Sequence, residues 1–188
     1  DGWRNTAVGH YAMKVNTSSH GTALGNDAML SNTTGAENTA VGSQSLYTNT
    51  TGGQNIAMGY KALFSSTTAS NNTALGYDAL RLNTTGAANT AVGKGALRAN
   101  TNGGRNTSIG FQSSLSNTTG ARNDVSGYNA FYTNTTGSYN TVSGMEAMYT
   151  NTTGAENAAF GYQALFSNTT ANNNAAFGRL ALYANTTG

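Results

Sequence analysis

Apolar residues in this chain come in short pairs, a small one beside a large one, and the pairs recur at a fixed interval. One series reads Ala7-Val8, Ala23-Leu24, Ala40-Val41, Ala57-Met58, Ala74-Leu75 and Ala91-Val92. The other runs from Ala12-Met13 and Ala28-Met29 through Ala62-Leu63, Ala79-Leu80 and Ala96-Leu97 to Ala181-Leu182, broken at Ser113-Ser114. Polar stretches, most often Asn-Thr-Thr-Gly, separate them. Glycine marks the period: Gly9, Gly25, Gly42, Gly59, Gly76, Gly93, Gly110, Gly127, Gly144, Gly161 and Gly178 stand 17 residues apart after a first step of 16. That step is short because the turn from Asn16 to Gly21 lacks one residue. Eleven repeats result, with a consensus near Asn-Thr-Ala-Val-Gly-Tyr-x-Ala-Leu-Tyr-x-Asn-Thr-Thr-Gly-Ala-x.

Helical repeats need about 33 to 47 residues and leucine-rich repeats about 20 to 29. A period of 17 suits one coil of short strands and turns, at about 3.3 Å per strand residue. Gly and Asn at fixed places supply the positive φ that turns require, and the absence of proline leaves a ladder uninterrupted. We therefore expect an all-β chain. The expected architecture is a parallel β-solenoid (β-roll) of eleven coils with two short strands each, forming one repeat domain over residues 1–188.

Adjacent strand residues point to opposite faces, so each pair puts apolar side chains on both. A solenoid in water needs only its inner face apolar. Either a bend redirects one member of the pair, or one face lines the core and the other packs on a second chain. The second reading is favoured, most simply as a parallel homo-oligomer. Val125-Ser126 and Val142-Ser143 exchange the sizes and mark a local change of packing. Asn recurs seven residues after the Gly in ten coils, with Ser66 the exception, and again before the Ala-Val strand. Stacked amides of this kind form ladders along a fibre axis.

Asn, Thr and Gly fill 80 of the 188 positions, and charged residues are only 9%. Disorder is a poor reading, because the net charge is +2 and 37% of residues are apolar. No basic stripe suggests nucleic acid, and no apolar run is long enough to insert in a membrane. Column spacing also bears on catalysis. Glu37 and Glu156 share a column seven coils apart, and Asp27 and Asp78 one three coils apart. At about 4.8 Å per coil these are roughly 33 and 14 Å, too far for a carboxylate pair that works within about 9.5 Å. His10 and His20 sit in no metal or triad pattern. We expect no enzyme, no cofactor and no metal.

Two aromatic columns are candidate surfaces. One directly follows the Gly: Tyr60, Tyr77, Phe111, Tyr128 and Tyr162. The other, five after it, is the candidate ligand stripe: Tyr47, Phe64, Tyr132, Tyr149, Phe166 and Tyr183, interspersed with Lys14, Arg81 and Arg98. Rings and long cations suit a half-exposed band bordering an interface or meeting a glycan. The recurrent Asn-Thr-Thr also creates sequons at Asn32, Asn49, Asn83, Asn117, Asn134, Asn151 and Asn168. If the host modified them, the turn edge would carry a row of sugars.

The run Asn-Thr-Ala-Val-Gly-x-x-Ala-Leu, as in Asn89 to Leu97, resembles the repeats in shafts of phage tail fibres that end in an intramolecular chaperone. It is also similar to the Asn-Ser-x-Ala-x-Gly repeats of YadA-like heads in trimeric autotransporter adhesins. The resemblance covers all eleven repeats, with a longer period and an Asn-Thr-Thr-Gly turn as departures from the YadA-like pattern. It implies a left-handed β-roll, a homotrimer, and display outside the cell or on a virion. Because Asp1-Gly2 and Thr187-Gly188 fall in the same turn, we expect a segment of a longer fibre or a unit stacking end to end. The expected function is a structural or adhesive rod that contacts a host surface or glycan. The alternative is an ice-binding solenoid using Thr ladders, against which the two adjacent turn Thr residues point in different directions.

Overall fold

The computed structural model describes residues 2–186; the expected end-turn positions Asp1, Thr187 and Gly188 lie outside them. Eleven three-residue strands, from β1 (Thr6–Val8) through β7 (Thr107–Ile109) to β11 (Ala175–Phe177), form one parallel sheet in chain order. Each strand pairs with the equivalent residues of the next coil, as in Ala40↔Ala57 and Val92↔Ile109. The chain is a parallel β-solenoid, and eleven coils at about 4.8 Å make a rod roughly 50 Å long.

Each coil contains one strand, not two. Where the second was expected, the chain makes two consecutive turns, closed in one coil by Ala28 N–H to Gly25 O (3.4 Å) and Asn32 N–H to Met29 O (3.2 Å). These turns still stack coil on coil: Met29 N–H donates to Ser45 O at 3.0 Å and Thr33 N–H to Thr50 O at 2.9 Å. Ladder bonds thus continue outside the sheet, as buried backbone requires. The segment fails to be a strand because two residues per coil take left-handed φ, such as Asp78 (58°) and Leu80 (50°). Leu and Lys at left-handed φ are uncommon, and nothing in their type announces it.

That conformation settles the fate of the paired side chains. In the turn segment the left-handed residue swings its side chain inward beside its neighbour, so Ala62 and Leu63, or Ala79 and Leu80, are both fully buried. Here the bend explanation holds. In the sheet the ordinary alternation persists. Ala23, Ala40, Ala57, Ala74 and Ala91 are buried, whereas Leu24, Met58, Leu75 and Ile109 are 36–48% exposed.

The core is apolar on one side and amidic on the other. Asn55, Asn72, Asn89 and Asn106 are at most 2% exposed, and each Nδ2 donates to the Oδ1 of the preceding coil's Asn at 3.1–3.2 Å. The second ladder, from Asn83 through Asn100 and Asn117 to Asn168, has the same direction. Such aligned amides polarise one another. At β7 the apolar filling is interrupted by a buried hydroxyl cluster, Ser108 Oγ lying 2.8 Å from Ser113 Oγ and 3.0 Å from Ser114 Oγ. This plug divides the apolar core into one block ending at Leu97 and another beginning at Val125. The size exchange noted at Val125 and Val142 puts those valines inside, 0% and 1% exposed, in the block that also holds Phe131.

Candidate interaction surfaces

Three outward surfaces carry side chains capable of binding. The first is the outer face of the sheet, which presents the strand's first and third residues. Its third-residue column is apolar in nine coils: Val8, Leu24, Val41, Met58, Leu75, Val92, Ile109, Phe160 and Phe177. Its first-residue column is Thr in seven coils and contains the face's single charge, Asp124. Phe160 and Phe177 stack at 5.0 Å. The column after the Gly borders this face and is also exposed, with Tyr60 on Tyr77 at 5.2 Å and Phe111 on Tyr128 at 5.3 Å.

The second surface is the expected aromatic stripe, which the fold brings together as two separate stacks. Tyr47 and Phe64 lie 5.0 Å apart and nearly parallel. Tyr132, Tyr149, Phe166 and Tyr183 form a four-ring stack with spacings of 5.0, 5.4 and 5.1 Å. All are half-buried except Tyr183, which is exposed. Desolvation, helped by the neighbouring Tyr132, Glu146 and Tyr128, raises the Tyr149 phenol above its ordinary value. Offset-stacked rings of this kind contribute about 0.5–1.5 kcal/mol per pair beyond their buried area. Three coils interrupt the stripe, where Arg81, Arg98 and Leu115 replace the ring.

The third lies at that interruption. Asp78 is 6% exposed, and its Oδ2 pairs with Arg81 at 3.5 Å and Arg98 at 3.4 Å. Its Oδ1 is buried and has no partner among the described residues. A cavity of ≈ 140 Å³ opens beside it.

The row of sugars expected on the turn edge has no place in this arrangement. Asn32, Asn49, Asn83, Asn117, Asn134, Asn151 and Asn168 are at most 1% exposed. In each coil the Nδ2 that would carry the glycan points into the rod and donates to a turn carbonyl, as Asn83 does to Gly86 O at 2.8 Å and Asn134 to Gly137 O at 3.1 Å. The sequon pattern records a core ladder. The following Thr hydroxyls are also committed, Thr118 Oγ1 donating to Thr135 O at 2.9 Å and Thr152 Oγ1 to Thr169 O at 3.0 Å.

Compared with known families, with curated proteins and with solved structures, the chain matches none. The resemblance to fibre shafts and adhesin heads therefore stands, after comparison, on the repeat and on the parallel β-solenoid it forms.

Proposed function

We propose that this chain is a structural rod of an extracellular or virion fibre, and that copies of it associate side by side through the outer face of the sheet. The observation that carries this reading is that face: a third-residue column apolar in nine of eleven coils and interrupted at Ser126 and Ser143, at 36–69% exposure for Val8, Leu24, Met58, Leu75, Ile109 and Phe177. Contiguous apolar surface of this extent marks an interaction site. Three-residue strands make the face about 10 Å wide, so over roughly 50 Å it offers on the order of 500 Å², and the bordering aromatic column brings it toward the ≈ 800 Å² per partner of a standard interface. A second copy is the occupant that fits, because its column repeats with the same period and has the same near absence of charge. A parallel pairing keeps the two periods matched along the whole length, as the resemblance to trimeric fibre repeats also favours. The adhesive part of the proposal, contact with a surface glycan or receptor, rests on the stacked rings from Tyr132 to Tyr183.

Ice binding by the paired turn Thr residues has less support, because the first hydroxyl of each pair is spent on the next coil. The outward Thr column of the sheet is broken by Ile56, Asp124, Ala158 and Ala175.

Sedimentation equilibrium at micromolar concentration tests association. A whole-number multiple of the 19.3 kDa chain mass is expected, falling to the single-chain mass in the double variant Met58→Lys, Leu75→Lys. A wild-type mass of one chain overturns the proposal.

A further inference from the structure

Ten of eleven coils place a side chain two residues after the Gly, at left-handed φ; the series runs Tyr11, Asp27, Gln44, Lys61, Asp78, then Gln112, Asn129, Glu146, Gln163 and Leu180. Gly95 alone has none. Its φ is +70°, in the same region as the others, so the backbone continues unchanged while one side chain is missing. The result is the ≈ 140 Å³ notch, with Asp78 on one side and Gln112 on the other along the rod, and Tyr77, Lys94, Arg98 and Leu115 around it.

The chemistry of this lining is mixed in a specific way. Tyr77 and Leu115 supply apolar walls. The Lys94 ammonium lies 5.6 Å from the Tyr77 ring centre and 5.9 Å from that of Phe111, with no carboxylate partner among the described residues. Of the charged groups lining the notch, Lys94 and Arg98 face the one acid Asp78, which Arg81 pairs from outside it, so the notch is net positive. Asp78 lines the notch with its carboxylate largely buried, and its Oδ1 has no partner among the described residues. The notch is open to solvent on one side, so one face of a pyranose can enter it while the remaining substituents stay in water.

We propose that the notch binds a single carboxylate-bearing pyranose residue of the uronic acid class. The carboxylate meets Lys94 and Arg98, where charge-assisted hydrogen bonds are strongest. The Gln112 amide takes a ring hydroxyl, and the ring's C–H face lies against Tyr77. This site is separate from the stacked aromatic stripe and does not depend on assembly, so its failure would leave the fibre reading untouched.

The test is a titration of the whole chain with methyl glucuronide, followed by amide chemical shifts. A ligand of this size is expected to bind near a Kd of about 1 mM, with saturable shifts centred on Tyr77, Gly95 and Gln112. Gly95→Gln restores the column and fills the notch; it is expected to fold normally, because Gln44, Gln112 and Gln163 occupy the same backbone position, and to weaken binding at least tenfold. Lys94→Gln, a surface change, is expected to remove the preference for the acid over methyl glucoside. Absent saturation in the wild type, undiminished binding by a folded Gly95→Gln variant, or equal binding of the neutral glucoside would each overturn the proposal.

Discussion

Replacing Gly110 with Ala is expected to destabilise the rod by more than about 3 kcal/mol. Gly110 has φ +133°, a region that is essentially glycine-only and costs a residue with a Cβ about 1–3 kcal/mol. The added Cβ would also lie 2.3 Å from the carbonyl oxygen of Gly127 in the next coil. Backbone is rigid there, so relief requires the two coils to part, and parting breaks ladder bonds such as Gly127 N–H to Ile109 O (2.9 Å). The turn glycine Gly103 makes a useful control. Its column accepts Ala at Ala69 and Ala171, and its φ is not in the left-handed range. A Cβ at Gly103 would meet the Gly120 carbonyl oxygen at the same 2.3 Å, so the two variants share that contact and differ in φ; Gly103→Ala is expected to cost less by the conformational share of about 1–3 kcal/mol. Denaturant unfolding of both variants checks the order, and equal losses would show that the conformational argument is misplaced.

The second large effect concerns the amide ladder. Asn100 Nδ2 donates to Asn83 Oδ1 at 2.7 Å and to Gly103 O at 2.9 Å, and its Oδ1 accepts from Asn117 Nδ2 at 2.9 Å. Asn100→Ala orphans Asn83 Oδ1, whereas Gly103 O keeps Asn89 Nδ2 at 2.9 Å and Asn117 Nδ2 keeps Gly120 O at 3.0 Å. With one buried orphan and the lost ladder bonds, a loss of about 1–3 kcal/mol is expected. The chain contains its own converse. Ser66 interrupts this ladder, and both Ser66 Oγ and the facing Asn49 Oδ1 are buried without a partner. Ser66→Asn is expected to reconnect the ladder and raise stability by about 1 kcal/mol. Opposite signs for the two substitutions in equilibrium unfolding would mark the ladder as a cooperative element. A destabilised Ser66→Asn would mean that the site has relaxed around the serine.

Much of this was legible in the sequence because the structure is periodic. Seventeen-residue spacing of Gly and Ala-Leu pairs specified a stacked coil, and the parallel sheet in chain order follows from it. The Asn columns implied ladders, which the structure contains. Other features depended on the sign of φ, which residue type reveals poorly. Leu63, Leu80 and Leu97 are at left-handed φ, and this turned an expected second strand into stacked turns with both side chains inward. The same bending turned each Asn of Asn-Thr-Thr toward the axis, so motifs that read as surface sequons are core. The interface candidate could be stated only as a choice between faces until the sheet residues were seen to alternate normally. Gly95 was visible as a break in a column of long side chains. Its meaning required Tyr77, Lys94, Arg98 and Gln112 to be seen around the gap.

The central claim is that parallel copies of this rod meet sheet face to sheet face. The chain has no cysteine, so single thiols can be placed at will. Ile109→Cys puts one at the centre of the exposed column of β7, and Thr136→Cys puts one on the turn edge away from the sheet. Treated with a short bismaleimide at micromolar concentration, the Ile109→Cys chain is predicted to give covalent dimers and the Thr136→Cys chain to remain single. Equal cross-linking at both positions, or none at Ile109→Cys, would contradict the account.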